Sequence, residues 1–347
     1  MRAAVYQGPG AIEMQDVPDA ALREPTDAVV RVVRACVCGS DLWSYRGIVK
    51  PAPGSRRGHE FVGVVEEVGA EVTSVRPGDF VVVPFQWCDN VCDPCRDGLQ
   101  TSCVNTGTFG AAGADGGQGE AVRVPYADGT CVVVPGGLSA VDERQLASLL
   151  ALTDVAATGL HGAVLSGVGR GGEVVVIGDG AVGLSAVLGA RSVLGAERVV
   201  LVSTHLDRSA LGRELGATDV VAARGDEGVA VVRDLLGRGP AHVVEAVGNP
   251  DAWDMALAMV RPGGTVGSVG VPHVRPELPL FPLLRGNVGV RVGLAPARHY
   301  LPELLERVLA GTYDAGRVFD LTLPLEDVAG AYQAMDARRS VKTMLVA

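Results

Sequence analysis

The chain has 347 residues, 48% of them hydrophobic and 20% charged, which excludes a disordered polymer and suits two cores better than one. Its 47 glycines stand between apolar runs without a period, which excludes collagen-like and linker architectures. A formal net charge of -10 argues against nucleic acid or an anionic membrane as partner, because neither attracts an acidic surface.

The first residues lack the apolar stretch of a signal peptide, and no window approaches the roughly 18 apolar residues that suggest a membrane span. A cytoplasmic protein is expected, with its seven cysteines read as metal ligands, nucleophiles or core residues before disulfides. Up to about Pro135, short valine-rich runs closed by Gly, Pro and Asp predict strands at 29–33, 61–68, 80–83, 121–124 and 131–134. This part reads as all-β. The glycine-rich stretch 107–119 reads as a mobile surface loop.

The texture changes near Val141. Helical spacing covers 143–152, and from Glu173 strands alternate with helices. Strands are expected at 173–177, 199–202, 219–222, 242–247, 265–269 and 288–292, with helices at 181–194, 208–215, 228–236 and 251–260. That alternation predicts an α/β fold, a doubly wound parallel sheet covered on both faces. A helix at 300–309 and a final strand-helix-strand over 319–346 do not extend this sheet. No internal repeat is present.

The strand at 173–177 runs into Gly178-Asp179-Gly180-Ala181-Val182-Gly183 and then a helix, the context that a G-x-G-x-x-G fingerprint needs. Gly178 permits the tight turn, Gly180 lets backbone approach a pyrophosphate, and Gly183 allows close helix-strand packing. The helix N-terminus, with Ala181 and Val182 in its first turn, offers N–H groups to phosphate. A nicotinamide dinucleotide is the expected cofactor. Its type depends on the end of the second strand, where NAD sites usually place an acid on the ribose. Here stand Ser203, Thr204 and His205, followed by Asp207 and Arg208. Ser203 cannot repel a 2′-phosphate, while Thr204, His205 and Arg208 can donate to one, so NADP(H) is favoured over NAD(H).

Two metal constellations stand out. Cys92, Cys95 and Cys103, preceded by Cys88, are spaced for a closed, structural zinc site. An Fe–S cluster could use the same residues, but no second cysteine set supports it. The other set is dispersed: Cys38 in Cys38-Gly39-Ser40-Asp41, His59 in Gly58-His59-Glu60, and Asp154 after Thr153. A thiolate, an imidazole and a carboxylate supply three ligands and leave a fourth zinc position open. Such a metal acts as a Lewis acid on an alcohol or carbonyl oxygen.

On these motifs, in this order, the chain resembles the zinc-dependent medium-chain alcohol dehydrogenases from Met1 to the closing Ser340-Val341-Lys342-Thr343-Met344-Leu345. The resemblance implies a GroES-like β-rich catalytic domain over 1–155, completed by 297–347, and a Rossmann domain over 156–296. It implies catalytic zinc on Cys38, His59 and Asp154, with Glu60 able to approach the metal during ligand exchange. Asp41 would orient His59, as metal-bound imidazoles require, and Ser40 would contact the substrate oxygen and pass its proton. Thr158 would pack on the nicotinamide, and Lys342 would reach the pyrophosphate. The substrate would be a small alcohol, aldehyde or ketone. Pairing of the edge strand at 288–292 would give a homodimer or a dimer of dimers.

Two departures matter. The family spaces its lobe C-x2-C-x2-C-x7-C, and Asp89 holds the first ligand position, one residue after Cys88. Either Cys88 reaches the metal, or Asp89 replaces it, or the lobe is empty. Trp43 stands where many members carry a proton-relaying histidine, and an indole cannot shuttle protons at neutral pH. The alternatives are a zinc-independent reductase of activated double bonds and a non-catalytic nucleotide-binding homologue. The complete Cys38, His59 and Asp154 set and the retained Ser40 count against both.

Overall fold

The N-terminus forms an antiparallel hairpin, β1 (Arg2–Gly8) and β2 (Ala11–Asp16). No long apolar run marks it, so turn-and-run reasoning passes over it. This is a computed structural model, which describes residues 1–272, 274 and 277–347. Two units are distinguished, Met1–Asp154 with Pro296–Ala347 and Val155–Ala295.

In the first unit, Ala-Val-Val-Arg-Val-Val-Arg-Ala-Cys forms β3 (Ala28–Cys36), followed by the short helix α1 (Asp41–Tyr45). β4 (Phe61–Val68) pairs antiparallel with β3, with two irregularities in register, and β5 (Phe80–Val83) pairs with β4. Bulges of this kind bend a strand and let a sheet curl. A small excursion follows: β6 (Gln86–Trp87), α2 (Asp93–Arg96) and β7 (Gly107–Thr108), with β6 and β7 paired. β8 (Ala121–Val124) returns to β3, α3 (Ala127–Thr130) turns the chain, and β9 (Val132–Val133) pairs with β5. α4 (Glu143–Leu152) starts at a capping box between Asp142 and Gln145 and packs on β3, β4 and β5. A cap of this kind is worth about 1 kcal/mol, and here it sets the register of the helix that delivers Asp154.

The stretch read as a surface loop is half interior. Residues 116–119 are buried, and Gly117 lies so close to the Phe61 ring that a Cβ would stand 2.1 Å from its edge. Glycine there serves close packing, which composition does not distinguish from looseness.

The second unit opens with α5 (Val155–Ser166), a helix buried on nearly all sides. It shows no apolar stripe, which is why periodicity misses it. The sheet strands are β10 (Glu173–Ile177), β11 (Arg198–Val202), β12 (Asp219–Val221), β13 (His242–Glu245), β14 (Thr265–Ser268) and β15 (Gly289–Val292). All pair in parallel in the order β12-β11-β10-β13-β14-β15. This is the doubly wound arrangement, whose strand order reverses beside β10 and leaves a ligand crevice at the strand ends there. The intervening helices are α6 (Ala181–Ser192), α7 (Leu206–Glu214), α8 (Gly225–Leu236), α9 (Pro250–Met259) and α10 (Leu280–Gly286). Val229, Val232, Trp253, Met255 and Met259 of α8 and α9 close the core over one face.

The chain then completes the first unit with α11 (Ala297–Leu309), β16 (Leu321–Pro324), α12 (Val328–Asp336) and β17 (Thr343–Val346). β17 pairs antiparallel with β3, Leu345 opposite Ala35, and gives a seven-stranded sheet. Tyr332 and Leu345 join Phe61 and Phe109 in that core. Among the described residues no single helix is long and apolar enough to cross a membrane.

Candidate functional site

Three elements of the first unit bring the dispersed donors together. Cys38 leaves the end of β3, His59 and Glu60 enter β4, and these strands are paired there, Ala35 opposite Phe61. Asp154 follows α4, and its approach is tied down because Thr153 accepts a 2.9 Å hydrogen bond from the Phe85 amide. One donor atom from each of Cys38, His59, Glu60 and Asp154 lies within 4.8 Å of all the others. Asp154 Oδ2 is 3.7 Å from Cys38 Sγ and 3.4 Å from His59 Nε2. Cys38, His59 and Glu60 are buried and Asp154 is half-buried.

The electrostatics suit a cation. Burial pushes the Cys38 thiol up, with the Glu60 and Asp154 carboxylates adding to it. Burial opposes charge on His59 too, but Asp41, Cys38 and Asp154 outweigh it and hold the imidazole well above its usual range. Glu60 Oε1 is buried without a hydrogen-bond partner. A buried set of thiol, imidazole and carboxylate with an orphaned oxygen fits a borderline-soft divalent ion such as zinc.

Around this set lies a network that sequence reasoning caught only in part. Asp41, 2% exposed, has Oδ1 3.6 Å from His59 Nδ1, and its Oδ2 accepts from the Cys38 amide at 3.0 Å. Gln118, from the supposed surface loop, donates to Asp41 Oδ2 at 3.2 Å and to the Cys36 carbonyl at 2.9 Å. Tyr332 donates to Gln118 Oε1 at 2.9 Å. Arg57 stands 3.7 Å from Asp41 Oδ1 and donates to Ser44 Oγ and the Gly110 carbonyl. No motif marks Gln118 or Arg57; the only signal is that each sits inside or beside a glycine cluster. Ser40 precedes α1 and is half-buried, and its hydroxyl does not cap that helix. Trp43 lies half-buried in α1.

Lys342 departs from expectation. Its amine, 1% exposed, donates to Glu60 Oε2 at 2.5 Å and to the Val37 carbonyl at 3.3 Å. Cys36 Sγ donates to the same Glu60 oxygen. A basic residue near the C-terminus read as a phosphate contact is thus committed, in this structure, to a carboxylate beside His59.

The second donor group is Asp89, Cys92, Cys95 and Cys103. Asp89 Oδ1 accepts from the amides of Val91 and Cys92, and Oδ2 from Asn105 Nδ2 at 2.8 Å. Cys103 Sγ accepts amide hydrogen bonds from Asp89 and Asn105 at 3.3 and 3.4 Å, and Cys92 Sγ lies 3.7 Å from it. Burial opposes ionisation of Asp89, but the Val91 and Cys92 amides hold its carboxyl well below the usual range. Cys88 turns inward instead, its thiol 3.4 Å from the Gly129 carbonyl and pushed up to about 12 by burial. Of the two fourth donors that the spacing left open, the group gathered within reach contains Asp89.

In the second unit, Gly178 ends β10 with φ +115°, and Gly180 sits at the start of α6 with no side-chain cap. A Cβ on Gly183 would lie 2.0 Å from the Gly178 carbonyl oxygen, so the helix packs on the turn only with glycine there. Ala181 and Val182 occupy the first turn of α6, whose amides therefore have no side chain competing for them. This cradle fits a pyrophosphate. Thr158 is buried in α5. Beside the end of β11 lies a glycine-loop residue to which the sequence reading gave no role: Asp179 accepts from Ser203 Oγ at 2.8 Å, lies 2.7 Å from His205 Nδ1, and is 3.4 Å from Arg208 Nη1. Of the donors expected for a 2′-phosphate, His205 and Arg208 face this carboxylate, Ser203 joins them, and Thr204 is exposed. His205 and Arg208, the donors on which the expectation of NADP(H) rests, thus have an acidic neighbour.

An alcohol dehydrogenase GroES-like domain model matches residues 24–136, and a zinc-binding dehydrogenase model matches 181–310. A probable zinc-binding alcohol dehydrogenase of Mycobacterium tuberculosis is 35% identical over 340 residues, 97% of this chain and 86% of that protein. Among solved structures, alcohol dehydrogenase TADH from Thermus sp. ATN1 is 34% identical with a TM-score of 0.91, covering 100% of this chain and 99% of its own. A putative zinc-binding dehydrogenase from Sinorhizobium meliloti 1021, bound to NADP, is 26% identical with a TM-score of 0.85, covering 100% and 99%.

Proposed function

The chain belongs to the zinc-dependent medium-chain alcohol dehydrogenases, and from that membership we propose how its own residues move a hydride between a nicotinamide dinucleotide and a small alcohol. It is a zinc-dependent alcohol oxidoreductase, and its cofactors are zinc and a nicotinamide dinucleotide. Reduction of the corresponding aldehyde or ketone is the same reaction run backwards.

The observation that carries the assignment is the meeting of Cys38, His59, Glu60 and Asp154 donors within 4.8 Å. We assign Cys38, His59 and Asp154 as the zinc ligands and leave Glu60 as the neighbouring carboxylate. When bound, zinc supplies Lewis acidity that favours loss of the alcohol proton near neutral pH. Asp41 holds the His59 ring from its Nδ1 side, and Gln118, Arg57 and the Cys38 amide hold Asp41. Ser40 contacts the substrate hydroxyl and passes its proton. Trp43 cannot carry that proton onward, so water or another group would have to take it. Lys342 holds Glu60 in place rather than reaching the pyrophosphate. Asp89, Cys92, Cys95 and Cys103 hold a second, structural zinc. A zinc-independent reductase has no use for the first set, which disfavours that reading.

The dinucleotide binds with its pyrophosphate at Gly178, Gly180, Ala181, Val182 and Gly183, its nicotinamide near Thr158, and its adenosine ribose at the end of β11. One relative was solved with NADP; the engaged donors Ser203, His205 and Arg208 speak against carrying that dinucleotide over. A second copy of the chain pairs along β15, an edge strand beside the exposed Leu280, Phe281, Leu284 and Val292. Unpaired apolar edges are covered in stable proteins. Cys38, Cys92, Cys95 and Cys103 serve as metal ligands in this reading, which suits a reducing, cytoplasmic setting.

The test is a panel of alcohols and aldehydes, followed by nicotinamide absorbance with either dinucleotide, alongside metal analysis. Turnover that requires zinc, with Cys38→Ser inactive yet still binding dinucleotide, is the expected result. Undiminished turnover in Cys38→Ser overturns the ligand assignment.

A further inference from the structure

The glycine loop carries a charge that neither the hydride chemistry nor the metal groups use. Asp179 follows Gly178 and is 8% exposed. Loops that cradle pyrophosphate gain nothing from a carboxylate, since it repels the ligand. Its side chain points away along the strand ends, toward Ser203, His205 and Arg208 of the next strand and helix. β10 and β11 run parallel in register, Ile177 beside Val202, so residues just past the two ends are neighbours. Asp179 thereby puts a carboxylate 2.8 Å from the hydroxyl of Ser203, the position where an acid would hold the adenosine ribose.

We propose that Asp179 is the specificity-determining residue of the dinucleotide site, selecting the unphosphorylated adenosine ribose of NAD(H) and excluding the 2′-phosphate of NADP(H). The inference rests on the reading of residues 178–183 as the dinucleotide loop. An ionised carboxylate has about four acceptor positions. Three donors engage this one, which leaves capacity for a ribose hydroxyl. Burial alone pushes the Asp179 carboxyl up, but His205, Ser203 and Arg208 hold it below the usual range, so it carries its charge. A 2′-phosphate brings about two negative charges at neutral pH. It meets that carboxylate and a guanidinium already neutralised by it. Asp207 is exposed and acidic, and Thr204 is exposed and neutral; neither supplies a replacement cation. Ser203, by itself permissive toward phosphate, thus becomes the anchor of the excluding group.

The experiment measures dissociation constants of NADH and NADPH, and of ADP-ribose and 2′-phospho-ADP-ribose, on the zinc-loaded enzyme by fluorescence and calorimetry. Wild type binds NADH at least about tenfold more tightly than NADPH, a difference of about 1.4 kcal/mol. Asp179→Asn binds NADPH and 2′-phospho-ADP-ribose more tightly than wild type does, because Arg208 and His205 become available, and it loses affinity for NADH. Asp179→Ser, the smaller variant, repeats the same crossing if the amide misfolds. A purely structural role weakens both dinucleotides together, and that outcome overturns the proposal. So does wild type that binds NADPH as tightly as NADH. Wild type that binds neither dinucleotide nor ADP-ribose overturns instead the assignment of the loop itself.

Discussion

Two groups of metal-type donors lie in the same unit and are built in opposite ways. Cys38 and Asp154 are 116 positions apart and meet only because β3, β4 and α4 pack together. Asp89 and Cys103 are 14 apart and meet within one excursion between β6 and β7. The first group, buried but for the half-buried Asp154, is braced by Asp41, Gln118, Arg57, Tyr332 and Lys342. The second is braced by its own amides, with three buried cysteines, Cys88, Cys95 and Cys103, for a core. The difference teaches which role each can take. A site positioned by tertiary packing keeps its shape when a donor is removed, so its loss reads out as chemistry. A site positioned by its donors loses its shape with them, so its loss reads out as stability.

The largest effect expected is on turnover at the first group. Cys38→Ser removes a ligand whose metal is worth several kcal/mol of charge stabilisation, a loss of about a thousandfold or more in kcat. Thermal unfolding, followed by circular dichroism, stays within a few degrees of wild type. A collapse of the melting transition would show that this group, too, is held together by its metal. Asp41→Asn keeps the shape and weakens the hold on His59. A loss of about tenfold to a hundredfold in activity or zinc affinity is expected, against no change in dinucleotide binding; equal activity would place the orienting role elsewhere.

At the lobe the signs reverse. Cys95→Ser should lower zinc content from two per chain, the number of donor groups among the described residues, to one. A metal held at about a thousand times its dissociation constant contributes about 4 kcal/mol, and its loss lowers Tm by about 10 °C. Activity well below that temperature should remain within a few-fold of wild type. Full loss of turnover at low temperature with the first zinc still bound would break the contrast between the two groups.

The same contrast explains what the sequence disclosed. Strands 61–68, 80–83 and 121–124 and the helix 143–152 appear with those bounds, because each is a local pattern ended by a turn residue or cap. The local lobe and the glycine loop were equally legible, since their spacing in sequence is their spacing in space. The dispersed donors were legible only through resemblance; nothing in Cys38 or Asp154 alone points to the other. Of the bracing residues only Asp41 was legible in that role, through the resemblance; Gln118, Arg57 and Tyr332 were not. Gln118 reaches Asp41 through a buried glycine stretch, and Asp179 reaches Ser203 across two strand ends. Both depend on sheet register, which periodicity does not supply. α5 was missed for the opposite reason, being apolar on every side.

The smallest effect expected separates two neighbouring residues. Cys88 and Asp89 compete in the sequence for one ligand position, and their surroundings differ. Cys88 is 1% exposed, its amide accepted by Thr130 and its thiol directed at the Gly129 carbonyl. Asp89 lies with Oδ1 on the Val91 and Cys92 amides and Oδ2 on Asn105 Nδ2. A thiol locked in the core by burial, its ionisation suppressed, is a poor ligand; a half-buried carboxylate held ionised is a serviceable one. Cys88→Ser should therefore leave zinc content unchanged, with a stability cost of about 1 kcal/mol for the less well-packed hydroxyl. Asp89→Ala should release the lobe zinc to a chelator. Because it also removes the acceptor for the Val91 and Cys92 amides, Asp89→Cys is the cleaner companion: it restores a fourth thiolate and slows chelation below the wild-type rate. The measurement is the rate of zinc transfer to a chromogenic chelator, which resolves the two sites by their different exposure. If Cys88→Ser loses the lobe zinc and Asp89→Ala keeps it, the inward thiol rather than the carboxylate closes the site.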